Sequence, residues 1–286
     1  MAGTTTADIN DLLPQIVAEA QFQAEERSIM RGLVKNFVLP PNSGKTLLVP
    51  VWDKMTAGTW TEGEEIANST ATTAGTTLTV TPIALRTLAT DFAVQSAATN
   101  VVADLGRLFG EAIARKIDTD LTAKFASFTT NVVGSSTSTI TAADVFKAVT
   151  LLRNQGVQSE QIACVLHPSI AYDLKAALTT SGNTPYVAGA YGDVANEAMR
   201  MGYVGMLAGV PVFETSNMAN TGTAGDFKGG VFMRDALALA VMKDINIETQ
   251  RRASYAGTDI VATAYYATGV IQETYGVQML FDSSIL

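Results

Sequence analysis

Apolar positions return every three or four residues across the stretch from Thr99 to Phe128: Val101, Leu105, Leu108, Phe109, Ala112, Ile113, Ile117, Leu121, Phe125 and Phe128. That spacing lines one face of a helix. Asn100 stands where an N-cap side chain accepts from the first free backbone N–H groups. The opposite face carries opposite charges four apart: Arg107 with Glu111, Glu111 with Arg115, Lys116 with Asp120, and Asp120 with Lys124. Each such pair contributes only about 0.2–0.5 kcal/mol, so the apolar face decides the helix and the charges support it. At a rise of about 1.5 Å per residue the helix is roughly 40 Å long. Most globular helices are shorter, and β-like sequence flanks this one on both sides. It reads as a strut.

A second helical pattern covers residues 11–35. Asp11 is in cap position, Pro14 falls in the first turn where its missing N–H is harmless, and Ile16, Val17, Ala20, Ala24, Ile29, Met30 and Leu33 follow. Residues 1–10, rich in Thr and Ala, read as a flexible arm, and Pro40-Pro41-Asn42-Ser43-Gly44 is a turn signal that ends the helix.

Between Lys45 and Val94 the pattern changes to strands. Thr46–Trp52 is one β-run, and Thr76–Ile83 alternates, with Leu78, Val80 and Pro82 on one side and Thr77, Thr79 and Thr81 on the other. Between them lie a polar tip, Trp60-Thr61-Glu62-Gly63-Glu64-Glu65, and a Thr/Ala-rich run over 68–77. The segment has too few apolar residues for a core of its own, and a two-stranded hairpin is marginal alone in water. It is expected to lie on something else. Trp52 and Trp60 fit two readings: anchors for a partner, or packing within the hairpin.

Beyond the long helix, Val132–Thr139 reads as a Ser/Thr/Gly linker. Thr141-Ala142-Ala143-Asp144 has the spacing of a capping box with Asp in place of Glu, and its helix runs to Asn154 with Gly156 as the stop. Ile162–Leu166 is a buried strand, and Pro168-Ser169 opens a helix carrying Ala171, Leu174 and Leu178. Thr179–Asp193 is a loop with Tyr186 and Tyr191, and Leu207–Phe213 is a turn and strand. Alternating helix and strand over 140–235 predicts an α/β subdomain. From Ala236 onward four short strands are expected, at Leu237–Met242, Asn246–Thr249, Ile260–Thr268 and Val277–Phe281. The fold class is α+β.

Composition adds one hint. Charged residues make up 16% of the 286, against about 25% in typical soluble domains, which suits a surface spent on subunit contacts. The net charge of −8, with scattered Lys and Arg, argues against a nucleic-acid-binding face of the usual kind. No basic, apolar leader is visible at the N-terminus and no run of about 18 apolar residues occurs.

Candidate chemistry is sparse. The one cysteine, Cys164, lies in the apolar run Ile162–Leu166 and reads as a buried thiol. The one histidine, His167, has no evident nucleophile or metal partners and reads as structural. Neither a Walker loop nor a GxGxxG motif occurs, and Gly225, Gly229 and Gly230 have the spacing of turn glycines. Glu62, Glu64 and Glu65 could hold a cation, but without fixed loop geometry they read as a solvated tip. No catalytic constellation, cofactor site or metal site is expected, and the chain is read as no enzyme.

The order of parts resembles the major capsid proteins of tailed bacteriophages with the Hong Kong 97-type fold. Three places carry the resemblance. Cys164-Val165-Leu166-His167-Pro168-Ser169, followed by Tyr172 and Leu174, resembles the strand–Pro–helix entry of the family's axial domain. Gly205–Phe213 (GMLAGVPVF), with Glu214–Met218 after it, is similar to the family's G-x-L-x-G-x-P-V-x turn and strand. Gly229-Gly230-Val231-Phe232 through Tyr265 resembles the return into the peripheral domain.

The resemblance implies a layout: an N-terminal arm and helix over 1–36, an extended β-hairpin loop over 37–92, a peripheral domain with the spine helix over 93–139, an axial domain over 140–235, and peripheral strands with a C-terminal return over 236–286. Leu105, Phe109, Ile113, Ile117, Leu121 and Phe125 would be the buried stripe of the spine. Trp52, Trp60, Glu62, Glu64, Glu65, Tyr186 and Tyr191 would touch neighbouring subunits. Function would be assembly into hexamers and pentamers of an icosahedral phage head around double-stranded DNA, without sequence-specific DNA contacts and without a membrane. A scaffolding protein, expected as a separate chain because the sequence opens directly on the arm, would be a partner. So would a portal and a decoration protein, with assembly in the host cytoplasm and the protein ending in the virion. Some members cross-link a Lys to an Asn of a neighbour with help from a Glu. Lys45 and Lys54 lie in the loop, but the matching strand Thr258–Gln272 has neither Asn nor Glu, so no cross-link is expected. An encapsulin-like nanocompartment is the alternative, followed by an α/β enzyme or binding protein with an accessory hairpin.

Overall fold

The computed structural model describes residues 28–40, 42–52, 55–66, 68–96, 101–157, 161–180, 203–221 and 225–285. The elements in chain order are α1 (Met30–Leu33), β1 (Lys35–Val38), β2 (Thr46–Trp52), β3 (Thr73–Thr79), β4 (Thr81–Thr90), α2 (Asp91–Ser96), α3 (Val101–Thr122), β5 (Val132–Ser135), α4 (Ala142–Asn154), β6 (Ile162–Leu166), α5 (Pro168–Thr180), β7 (Tyr203–Leu207), β8 (Val210–Glu214), β9 (Asp226–Met233), β10 (Leu237–Arg252), β11 (Gly257–Val270) and β12 (Gly276–Asp282). They form a four-stranded sheet, β1-β10-β11-β4, a six-stranded sheet, β5-β12-β9-β6-β8-β7, and the β2–β3 pair.

The long helix α3 is where the apolar period placed it, tightened into a 3₁₀ turn over Ala123–Ser127. Its buried stripe is Phe109, Ile113, Ile117, Leu121 and Phe125, with Leu105 half-buried. Leu108 and Ala112, counted with that stripe from spacing, lie exposed just outside it. Of the expected charge pairs, Arg115 meets Glu111 at 3.2 Å and Lys116 meets Asp120 at 2.7 Å. Asn100 lies outside the described residues.

One face of the four-stranded sheet packs on α3 through Leu237, Leu239, Ile245, Ile247, Ile260, Ala262, Ala264 and Tyr266. Alternate residues Ala238, Ala240 and Ala267 look the other way and receive the root of the β2–β3 hairpin. A strand covered on both faces reads as a continuous apolar run rather than an alternation, as Leu237–Ala240 does. Small side chains on the hairpin side let its backbone come close. At Gly269 the approach is closest: an added Cβ would lie 2.3 Å from Leu78 Cδ2, so only glycine leaves room for that leucine.

The six-stranded sheet carries the α/β alternation expected over 140–235. The capping box at Thr141 and Asp144 is formed, with Thr141 N–H donating to Asp144 Oδ2 at 3.0 Å. α4 ends at Asn154, and Gly156 follows in left-handed conformation at φ +82°. Ala208 and Gly209, both at positive φ, make the two-residue turn between β7 and β8.

Several expectations change. The helical pattern over 11–35 breaks at Val34, because the chain turns extended there and β1 pairs in parallel with β10; residues 11–27 lie outside the described set. Residues 132–135 are not linker but strand β5, held by parallel pairing to β12. The two short strands expected at 237–249 are one, β10, with register shifts between Val241 and Asn246. Val80 separates β3 from β4, which shifts the alternation: Ile83, not Pro82, turns inward, and Pro82 is exposed. Sheet membership also crosses the 139/140 and 235/236 boundaries, since β5 and β12 both join the six-stranded sheet.

Candidate assembly surfaces

The hairpin has two faces of different fate. In the β2–β3 register Leu47 lies opposite Leu78, Leu48 opposite Thr77, Pro50 opposite Gly75 and Trp52 opposite Thr73. Leu47 and Val49 turn toward the alanine-lined face of the four-stranded sheet, where Leu78 is 2% exposed. Thr76 Oγ1 donates to Ile271 O at 3.3 Å at the same root. The other face leaves Leu48 63% and Trp52 67% exposed, with Pro50 between them. An isolated exposed leucine needs no explanation. Three apolar side chains in a row on one face of a hairpin do.

At the tip, Trp60 Nε1 donates to Glu64 O at 2.6 Å and Glu64 N–H to Thr61 O at 3.1 Å, around Gly63 at φ +91°. Trp60 thus closes the tip with its N–H while its ring stays 54% exposed. Met55 and Ile66 beside it are exposed as well. Glu62, Glu64 and Glu65 are exposed, and among the described residues no three acidic, His or Cys side chains converge as a metal site. Tyr186 and Tyr191 lie outside the described residues.

The arm enters the fold at a site that spacing did not single out. Asp118, on α3, is 0% exposed. Ser28 Oγ donates to its Oδ1 at 2.7 Å and Ile29 N–H to its Oδ2 at 3.2 Å. The Met30 N–H and the Asn217 side chain lie near enough to favour its charged form. Burial pushes this carboxyl above its ordinary value against the pull of those hydrogen bonds. The signal was present in the sequence: Asp118 is four residues after Ala114 and three before Leu121, so it sits on the edge of the apolar stripe.

Other buried acids tie elements together. Asp259, 2% exposed on β11, takes Arg86 from β4 at 2.9 Å and Arg252 from β10 at 2.6 Å. Asp173 of α5 accepts from the N–H and hydroxyl of Ser284 and so holds the C-terminal segment. At the surface Glu273 accepts from the N–H and hydroxyl groups of both Thr129 and Thr130, which hold its carboxyl below the ordinary value.

The two residues examined for chemistry are occupied otherwise. The His167 ring stacks on Phe227 at 3.6 Å, its Nδ1 accepts from Ser169 N–H at 3.3 Å, and burial pushes its pKa down. Cys164 is fully buried in β6, and burial pushes its thiol up to about 12. Grooves of about 390 and 190 Å³ run between α3 and the loop after β8, lined by Glu111, Arg115, Glu214, Ser216, Asn217 and Met218 among others.

A sequence model of the phage capsid family matches residues 11–274. The chain belongs to the phage capsid family. Among solved structures of the same fold, the capsid of the cyanophage P-SCSP1u is 16% identical and superposes with a TM-score of 0.70, over 91% of this chain and 89% of that one. A structure from Mycobacterium phage Che8 is 19% identical, with a TM-score of 0.67, over 88% and 90%. The capsid of a native GTA particle is 13% identical, with a TM-score of 0.66, over 99% and 93%. No curated protein sequence matches the chain. The α+β architecture is thus the Hong Kong 97-type capsid fold, and the protein is a structural one, a phage major capsid protein. The encapsulin-like alternative is not favoured.

Proposed function

We propose that copies of this capsid protein assemble as hexamers and pentamers into a closed icosahedral head around double-stranded DNA. The β2–β3 hairpin of each lies over a neighbouring subunit. The observation that carries this reading is the outward stripe Leu48, Pro50 and Trp52, continued by Trp60 at the tip: an apolar face on a hairpin whose root alone is packed. Covering it removes apolar area from water, which is the general drive for association.

In this reading residues 1–36 are the arm, which reaches along adjacent subunits and joins them, 37–92 the extended loop, 93–139 and 236–286 apart from β5 and β12 the peripheral part around the spine helix, and 140–235 with those two strands the axial part. Tyr186 and Tyr191 belong to a loop at the capsomer axis. Glu62, Glu64 and Glu65 meet polar groups on the neighbour. The acidic chain confines DNA without gripping its sequence, since a repulsive wall also encloses a polyanion. Scaffolding, portal and decoration proteins are the partners of such a head, which forms in the host cytoplasm.

Negative-stain electron microscopy of the purified protein, with nuclease protection on particles from infected cells, tests the reading. Closed shells protecting long double-stranded DNA are expected. A monodisperse species of about the 30.1 kDa subunit mass under all assembly conditions would overturn it.

A further inference from the structure

Asp118 is a carboxylate without solvent exposure, and three separated parts of the chain meet on it. α3 supplies the acid. Ser28 and Ile29 supply donors from the point where the arm enters the fold, and Asn217 lies beside the carboxyl on the loop between β8 and β9. Thr122 Oγ1, one turn along α3, fixes that loop by donating to Asn217 O at 2.9 Å. A buried carboxylate is costly unless its acceptor positions are filled. Here most of the filling comes from the arm.

The dependence also runs the other way. The first N–H groups of a helix need acceptors, and Ile29, the residue before α1, has no polar side chain to offer one. Asp118 does that work from another helix, and Ser28 adds to it by accepting from Arg31 N–H at 3.4 Å. The far side of α1 is held independently. Met30 and Val34 are fully buried in the main core, and Arg234 Nε donates to Val34 O at 3.3 Å. The apolar plug therefore keeps α1 on the protein, while Asp118 fixes the end from which the rest of the arm departs.

We propose that Asp118 is a positioning residue for shell assembly, setting the place and direction in which residues 1–27 leave the subunit. This rests on the arm's proposed role in joining subunits. The arm can bridge subunits only if it leaves each along the same line. A carboxylate taking its donors from the arm root, one turn from the Thr122 hydroxyl that holds the Asn217 loop, ties that line to the spine helix and the six-stranded sheet together.

The test uses the full-length chain with Asp118→Ala, Asp118→Asn and Ser28→Ala. Amide hydrogen exchange at Ile29 is read in the unassembled subunit, and closed-shell yield by electron microscopy. In Asp118→Ala, exchange at this amide is expected to rise about tenfold or more, as for loss of a hydrogen bond to a charged acceptor. Exchange in β10 stays unchanged, and closed shells fall sharply. Asp118→Asn, which retains one acceptor oxygen, is expected to recover part of both. Unchanged exchange at Ile29 would overturn the proposal, and so would faster exchange with wild-type shell yield. If the wild-type chain itself makes no shells, the capsid reading fails while the exchange data still decide whether Asp118 pins the arm. If Asp118→Ala does not fold, Ser28→Ala, which removes one donor and leaves the carboxylate paired, carries the same readouts.

Discussion

Leu78 fits the space that Gly269 leaves open. A Cβ on residue 269 would come 2.3 Å from the Leu78 Cδ2 atom, so the hairpin root and β11 are complementary at that one point. Leu78→Ala empties the socket and is expected to destabilise the unassembled subunit by about 2–5 kcal/mol, in the range for truncating a buried leucine. Gly269→Ala overfills it, at about 1–3 kcal/mol. The double variant should be less destabilised than the two losses added, because the new methyl occupies space the leucine has vacated. Denaturant unfolding of the four proteins measures this, and strict additivity would mean the contact does not hold the root.

The exposed stripe behaves differently. Trp52→Ser and Leu48→Ser change side chains that are 67% and 63% exposed, so subunit stability should move by no more than about 0.5 kcal/mol. Shell assembly should fall markedly. Equal particle yield from wild type and the double serine variant would show that this face contacts nothing in the shell.

Acid affects Asp118 in a definite direction. Its folded carboxyl is raised above the unfolded value, chiefly by burial, so the folded state holds the proton more tightly than the unfolded chain. Stability from this group is therefore highest below the unfolded pKa and declines as pH rises toward the folded one. The other charged groups on the elements packed around it are Asp104, Arg107, Glu111, Arg115, Lys116 and Asp120 on α3, Arg31 on α1, paired with Asp244 at 3.5 Å, and Glu214 on β8, paired with Lys175 at 3.3 Å. Asp118→Asn leaves those in place, so the difference between wild type and variant isolates Asp118. Relative to the variant, the wild type should be more stable near pH ~3.5 than near pH ~7. Denaturant midpoints at the two pH values measure it, and a difference of the opposite sign would refute the assignment.

Mature particles should dissociate fully into single chains on a denaturing gel. β11 and the residues after it to Gln272 carry neither Asn nor Glu, so a lysine of a neighbouring loop has no asparagine partner there. A ladder of linked subunits would show that the partner lies on another element.

What could be read from the sequence was local. The period of α3, the Thr141–Asp144 box and the Ala208-Gly209 turn each depend on residues within a few positions of one another, and each formed. What depended on distant pairing could not be read. Residues 132–135 look like linker because the partner that makes them a strand is β12, near the other end of the chain. β10 looked like two strands because its irregular middle, between Val241 and Asn246, interrupts the alternation without ending the pairing. Pro82 was placed inward by extending an alternation that Val80 resets. Asp118 was hidden by its charge: an acid among helix surface charges looks solvated until a second segment covers it. On the assembly surface, Trp52 and Trp60 were visible as apolar residues in a coreless stretch, whereas which face of the hairpin stays open is set by the sheet beneath it.

The single thiol of the chain has a practical sequel. Cys164 is sealed inside β6 with its sulfur kept protonated, and thiol reagents attack the thiolate of an accessible cysteine. The native surface is therefore silent to maleimides and to disulfide exchange. A cysteine placed at the hairpin tip would be the only reactive sulfur on the subunit. One residue can thus carry a fluorophore, a spin label or a displayed cargo, repeated once per copy wherever the shell puts it.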